Sequence, residues 1–214
     1  MKKTILLDLD ETLITTLFRQ YSVIKTFFDQ FKFDIANFDE YITFRKTNIC
    51  SNQIFVNQFI NDQYILGEFR KFYLENIEEE TFLEKDKLIV DLNLLKSISK
   101  YYNLILVSLR SNKINSSNQL KQIELLNLFT EVHFSKHEKI NSKIDVVLIL
   151  KKKHSILSFV GDSKTDYEAA LVNEIEFIGV ETGLFPLSGK FRSFETINHY
   201  LNTLLAWENS VRKN

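Results

Sequence analysis

The sequence contains one cysteine, one proline and five glycines in 214 residues. Cys50 has no partner for an intrachain disulfide, so the chain needs no oxidising compartment. The shortage of proline and glycine goes with an abundance of Lys, Asn, Ile and Phe. This reads as a compositional bias of the source and carries no functional signal. Internal repeats and low-complexity linkers are absent. An excess of charge of one sign is also missing. The net charge of −1 gives no bulk attraction to nucleic acid or an anionic membrane. No run of 18 apolar residues exists, so no transmembrane span is expected. The first apolar run is short and ends in Asp8 and Asp10, unlike a secretory signal. These absences leave a soluble cytoplasmic protein, with no nucleic-acid and no membrane partner. Apolar residues make up 44% of the chain, enough for a sizeable core. The length suits one large domain, or a core domain with an insertion.

From Lys87 onward, helical and strand patterns alternate. Leu88, Leu92, Leu95 and Ile98 fall at helical spacing, and Leu104–Val107 reads as a short buried strand. Leu120, Ile123 and Leu126 mark another helix, and Val132–Phe134 a weak strand. A helix over Ile144, Val147, Leu148 and Lys151 is followed by a strand over Ile156–Val160. Glu168–Val172 opens a helix, Ile175–Val180 forms a strand, and Ile197, Leu201, Leu204 and Leu205 lie on a last helix. Such alternation predicts an α/β fold: a Rossmann-like parallel sheet with helices on both faces. Residues 16–82 break the pattern. Leu17, Tyr21, Ile24, Phe28 and Phe31 form a helical stripe, Phe69, Phe72 and Tyr73 continue the idea, and no clear strand lies between. The expected organisation is an α/β core of residues 1–15 and 83–214, interrupted by an α-helical insertion over 16–82. The aromatic residues of the insertion read chiefly as its core.

The chemistry begins at Thr4-Ile5-Leu6-Leu7-Asp8-Leu9-Asp10-Glu11-Thr12. An apolar strand ending in two acids is costly unless a cation or hydrogen bonds hold them. Strand alternation puts Asp8 and Asp10 on one side, and the oxygen donors suit a hard cation such as Mg²⁺. Ser108 ends the strand Leu104–Val107. Asp162 and Asp166 follow Ile156–Val160, and Lys143 opens the helix before that strand. In an open parallel sheet, such groups converge outside the carboxyl ends of the strands. Acids, a hydroxyl, a lysine and Mg²⁺ make a phosphoryl-transfer inventory.

With these residues in place, the chain resembles the haloacid dehalogenase (HAD) superfamily. Asp8, Asp10 and Thr12 match its Asp-x-Asp-x-Thr motif, and Ser108 its strand-end Ser/Thr. Lys143 matches its helix-head lysine, and Asp162 with Asp166 its Gly-Asp-x-x-x-Asp. The insertion lies where this family places a helical C1 cap. The resemblance implies a HAD-type fold and a Mg²⁺-dependent phosphomonoester hydrolase, phosphoglycolate phosphatase-like or acting on a sugar phosphate or nucleotide, with a small phosphorylated metabolite as substrate. Asp8 would be the nucleophile forming an aspartyl-phosphate, and Asp10 the general acid and base. Ser108 and Lys143 would bind the phosphoryl oxygens, helped by backbone N–H groups near Leu9, Asp10 and Leu109. The metal ligands would be the Asp8 carboxylate, the Asp10 carbonyl and Asp162, with Asp166 acting from behind them.

Asp10 favours phosphate over halide chemistry, since the true dehalogenases of the family lack this second acid. A phosphomutase retains it and is the alternative enzyme; a HAD-like phosphate-binding protein without turnover is another. A receiver domain is disfavoured by length and by the order of its acids. Glu11 stands where many members have glycine. Lys136 and Lys139 are the neighbours that could replace Lys143. Arg110 reads as a solvated strand-end charge, with substrate contact as its alternative, and Thr12 as a cap on the turn. His133 and His137 lack metal-ligand spacing, Lys151–Lys153 form a solvated helix end, and Cys50 is inert. In the insertion, Arg19, Arg45, Lys46, Arg70 and Lys71 are candidate substrate contacts, each read first as surface charge.

Overall fold

The computed structural model describes residues 2–136, 141–184, 186, 187 and 189–211; His137 and Lys139 lie outside this set. The chain divides into two compact units, one of Met1–Thr15 and Leu88–Asn214, the other of Thr16–Lys87. The return to the first unit comes after Lys87, later than residue 83, because Glu80–Leu83 winds into one more helix that packs on Leu17–Phe31.

The strands in chain order are β1 (Thr4–Leu7), β2 (Ile14–Thr15), β3 (Lys87–Leu88), β4 (Asn103–Leu109), β5 (Glu131–Ser135), β6 (Ile156–Gly161), β7 (Glu176–Val180) and β8 (Arg192–Phe194). Six of them form one sheet in the order β5-β4-β1-β6-β7-β8, with every neighbouring pair parallel. Strand β1 is central and apolar on both sides, as a strand covered on two faces must be. Ile5 and Leu7 join one core cluster with Leu104, Leu106 and Leu201. Leu6 joins the other, with Ile105, Val107 and Phe159. Burying each such side chain contributes about 1.5–3 kcal/mol, so the register that carries Asp8 to the strand end is firmly set.

The helices of the insertion are α1 (Leu17–Phe31), α2 (Phe38–Asn48), α3 (Asn52–Val56), α4 (Gln63–Asn76) and α5 (Glu80–Leu83); those of the α/β unit are α6 (Leu92–Ser99), α7 (Lys113–Gln122), α8 (Lys143–Lys153), α9 (Lys164–Val172) and α10 (Ile197–Val211). Helices α6 and α10 supply Leu95, Ile98 and Leu201 to one face of the sheet. Helices α8 and α9 supply Val147, Leu150, Ala169 and Ala170 to the other.

Three element boundaries depart from the periodicity. Leu88 belongs to β3, and α6 starts only after Asp91, whose carboxylate accepts from the N–H groups of Asn93 and Leu94. Helix α7 stops at Gln122, and Leu126 lies in a separate 3₁₀ turn, because Glu124 takes a left-handed conformation (φ 60°). Glu168–Val172 is the second half of α9, which starts four residues earlier behind Ser163. The short strands β2, β3 and β8 carry too few residues for a visible period.

In the insertion, Tyr21, Ile24, Phe28, Tyr41, Phe55 and Phe69 form a buried core, while Phe31 is exposed. Two of its arginines correct the expectation of surface charge. Arg19 is buried and pairs with Asp86 at 3.3 Å. Arg45 is buried and donates to the Cys50 carbonyl (3.0 Å), Gln20 (2.8 Å), the Tyr41 hydroxyl (2.7 Å) and Asn52 (2.8 Å). Lys46, Arg70 and Lys71 are exposed.

Candidate active site

Asp8 follows the last residue of β1, and its N–H still donates to the Val160 carbonyl at 2.9 Å. The sheet thus holds the residue in place while its side chain emerges at the carboxyl edge. Asp162 leaves the adjacent β6, and Ser108 lies near the end of β4 on the other side.

Lys143, the first residue of α8, is buried and lies between two carboxylates. Its Nζ donates to Asp8 Oδ1 at 2.7 Å and to Asp166 Oδ1 at 2.5 Å. Its backbone N–H donates to Asn141 Oδ1 (3.1 Å), and Asn141 Nδ2 in turn donates to the Thr165 carbonyl (2.7 Å). The head of α8 is thereby tied to the head of α9. Lys136 is exposed.

Asp166 is fully buried, and both its oxygens are engaged. Oδ1 accepts from Lys143, while Oδ2 accepts from the Ser163 N–H (3.1 Å) and hydroxyl (2.5 Å). This capping box starts α9 and also aims Asp166 at the lysine. Gly161 permits the approach, since a Cβ there would sit 2.5 Å from the Asp166 carboxyl carbon.

Oxygens of Asp8, Asp162 and Asp166 lie within 4.8 Å of one another. The electrostatic strain is visible in their proton affinities. Burial is the largest cause pushing the Asp8 carboxyl from 3.8 up to about 7; Asp166 adds to it, and Lys143 pulls the other way. Burial, then Asp8, Asp166 and Glu11, hold Asp162 well above its ordinary value. Burial alone would lower Lys143, but Asp166 and Asp8 outweigh it and hold the ammonium above 10.5. A divalent cation fits this all-oxygen donor set, because it would neutralise carboxylates that one lysine leaves in excess. Gly183 leaves room for the same group, as a Cβ there would collide with the Asp162 carboxylate. Thr12 Oγ1 faces Asp162 Oδ1 at 3.5 Å, a long contact.

Arg110 is the residue that sequence reasoning misjudged. It is 1% exposed, not solvated, and its guanidinium grips Asp10 from two nitrogens. Nη2 donates to Oδ1, and Nε to Oδ2 at 3.1 Å. Arg110 and Asp10 both lie past the ends of their strands, β4 and β1, where no strand period sets the direction of a side chain. Glu11 is the second surprise. It adopts φ 55°, a left-handed conformation costing a side-chain-bearing residue roughly 1–2 kcal/mol. Its carbonyl accepts from the Thr182 hydroxyl, and its charge reaches Asp162. The left-handed backbone explains why glycine suits this position.

The remaining singled-out residues stay apart from this cluster. His133 lies in β5 and bonds Glu131 at 2.8 Å, a carboxylate shared with His154 at 2.7 Å. Cys50 is buried in the insertion. Lys151 donates to the Asn173 carbonyl at 2.5 Å, and Lys152 and Lys153 are exposed.

A parallel α/β sheet with an acidic, lysine-bearing cluster at its carboxyl edge, interrupted after the first strand by a helical insertion, defines an enzyme of the HAD type. The sequence pattern of the haloacid dehalogenase-like hydrolases matches residues 5–180, and the chain belongs to that family. No curated protein matches it in sequence. Among solved structures it is similar to a haloacid dehalogenase-like hydrolase of Streptococcus pneumoniae, with a TM-score of 0.72, 16% identity, and 97% of this chain and 98% of that one covered. A protein of Clostridium acetobutylicum described as a predicted phosphatase aligns with a TM-score of 0.68 and 19% identity, over 96% and 99% of the two chains. One of Haemophilus somnus described as a predicted phosphoglycolate phosphatase aligns with a TM-score of 0.70 and 18% identity, over 95% and 98%. At these identities the likeness establishes the fold. No described helix is long and apolar enough to cross a membrane.

Proposed function

We propose that the chain is a Mg²⁺-dependent phosphomonoester hydrolase working through an aspartyl-phosphate on Asp8, with a small phosphorylated metabolite as substrate. The observation that carries this reading is the buried Lys143 ammonium, 2.7 Å from Asp8 Oδ1, within a cluster of three carboxylates. Asp8 and Asp162 would hold the metal, which supplies charge neutralisation for the phosphoryl group. Asp166 has both oxygens committed and acts by aiming Lys143.

An Asp8 carboxylate oxygen attacks phosphorus, and the bond from phosphorus to the leaving alkoxide breaks. Asp10 donates its proton to that alkoxide. Asp10 then takes a proton from water as the water oxygen attacks phosphorus, breaking the bond to Asp8 and releasing inorganic phosphate. In the structure Asp10 is paired with Arg110, so this pair must open for proton delivery. Ser108, the backbone near Leu109 and Lys143 stabilise the charge on the transferring oxygens.

The test is a phosphate-release screen over phosphorylated metabolites with and without EDTA, on the native chain and on Asp8→Asn. Turnover that EDTA abolishes and Asp8→Asn lacks is the expected result. Appreciable turnover by folded Asp8→Asn removes the nucleophile assignment.

A further inference from the structure

A pocket of about 570 Å³ opens in the α/β unit at the amino ends of the strands. Lys2 and Lys3 precede β1, Tyr101 and Tyr102 precede β4, Glu176 starts β7 and Arg192 starts β8. Lys3 and Asp8 are five residues apart along β1, roughly 16 Å at the rise of a strand. The pocket is therefore distinct from the acidic cluster.

Its lining has a definite chemistry. Tyr101, Tyr102, Phe194 and Trp207 bring aromatic rings to it. Trp207 is the chain's single tryptophan, and it is 56% exposed on α10, an apolar ring left available for stacking. Lys2, Lys3 and Arg192 bring three cations, and all three are exposed. The Arg192 guanidinium lies 5.3 Å from the centroid of the Phe194 ring, so cation and ring are presented side by side. Two acids share the pocket, Glu176 and Glu208. Glu208 already accepts the Tyr102 hydroxyl at 2.6 Å. Cations thus outnumber carboxylates, beside the exposed ring of Trp207. The volume suits a small ligand.

We infer that this pocket binds a planar heteroaromatic anion, of the class of a nucleoside phosphate, with the ring stacked against Trp207 and its neighbours and the anion held by Lys3 and Arg192. Every base has a face that can stack on an aromatic ring, and the cations supply selection for charge.

Trp207 makes the inference directly measurable, because all tryptophan fluorescence of the full chain arises in this pocket. The probe is 3′,5′-cyclic AMP, which carries a purine and an anion but no phosphomonoester for the acidic cluster to hydrolyse. Adenosine is the ring without the anion. The expected result is saturable quenching by cyclic AMP and binding at least tenfold weaker for adenosine. Lys3→Gln and Arg192→Gln, both at exposed positions, each weaken the cyclic AMP response about fivefold or more. Asp8→Asn leaves it unchanged. The inference is overturned by an absence of saturable quenching, by equal responses to cyclic AMP and adenosine, or by a response that both pocket variants retain. Loss of the response in Asp8→Asn would place the nucleotide at the acidic cluster and overturn it equally.

Discussion

Lys143 is the residue on which the cluster's charge balance turns. Its ammonium touches two carboxylates and is nearly inaccessible to water. Replacing it with methionine keeps the bulk but leaves Asp8 and Asp166 facing each other without a counter-charge. Breaking a buried pair from one side costs about 3–5 kcal/mol, and loss of a charge aimed at the transferring group costs about 10²–10³ in rate. Lys143→Met should therefore show both a lowered urea midpoint and a kcat reduced at least a hundredfold. Activity retained within tenfold would move the phosphate-binding role to another cation. Arg110 carries a related lesson. An arginine at a strand end is ordinarily solvated, and what buries this one is the partner Asp10, one hundred residues away in sequence. Lys143 and its partners were legible because each has a motif position; the Arg110 pairing was not, because no local pattern encodes a long-range ion pair.

At the scale of the element, the head of α9 does two things with one hydrogen-bond system. Ser163 caps the helix, and the same serine holds Asp166 Oδ2 so that Oδ1 faces Lys143. Ser163→Ala removes the cap, at about 0.5–2 kcal/mol, and leaves Asp166 Oδ2 held by the Ser163 backbone N–H alone. A lowered melting temperature is expected together with a fall in kcat. Restoration of both by Ser163→Thr, which keeps the hydroxyl, would distinguish the lost hydrogen bond from lost packing; loss of stability with unchanged kcat would show that Asp166 is aimed by something else. The start of α9 was misplaced by four residues because Lys164, Thr165 and Asp166 show no apolar period. Their positions follow from capping and from the lysine they serve, not from burial of a stripe.

At the scale of the whole molecule, proton and metal binding compete at Asp8. Burial, with Asp166 beside it, pushes its carboxyl in the folded chain up to about 7 from the ordinary 3.8. This group therefore favours the folded state below about pH 4 and progressively loses that contribution as pH rises through about 7. A bound divalent cation requires the ionised form and reverses the trend. Mg²⁺ should bind with an apparent affinity that rises at least tenfold per pH unit below about 7, because Asp8 and Asp162 must both lose protons to ligate it. The thermal shift on adding Mg²⁺ should grow over the same interval, reaching about 2.7 kcal/mol of stabilisation at a hundred times the dissociation constant. Calorimetric titrations at pH 5.5, 6.5 and 8 check this. A pH-independent affinity would mean that Asp8 is not a ligand.

The sequence by itself determined the class of fold and the identity of most of the acidic cluster. Alternating apolar runs and helical stripes are local patterns, and parallel strands bring their carboxyl ends together whatever the details of packing. It also marked a helical interruption starting near residue 16 through the change of period, while its end, expected at 82, comes at Lys87. Only the tertiary structure decided that Lys143 sits between Asp8 and Asp166, that Arg110 is buried against Asp10, that Arg19 and Arg45 lie inside the insertion, and that rings and cations gather at the amino ends of the strands. These depend on the distance between groups far apart in the chain. Such distances are set by sheet order and helix packing, for which a single sequence carries no period to read.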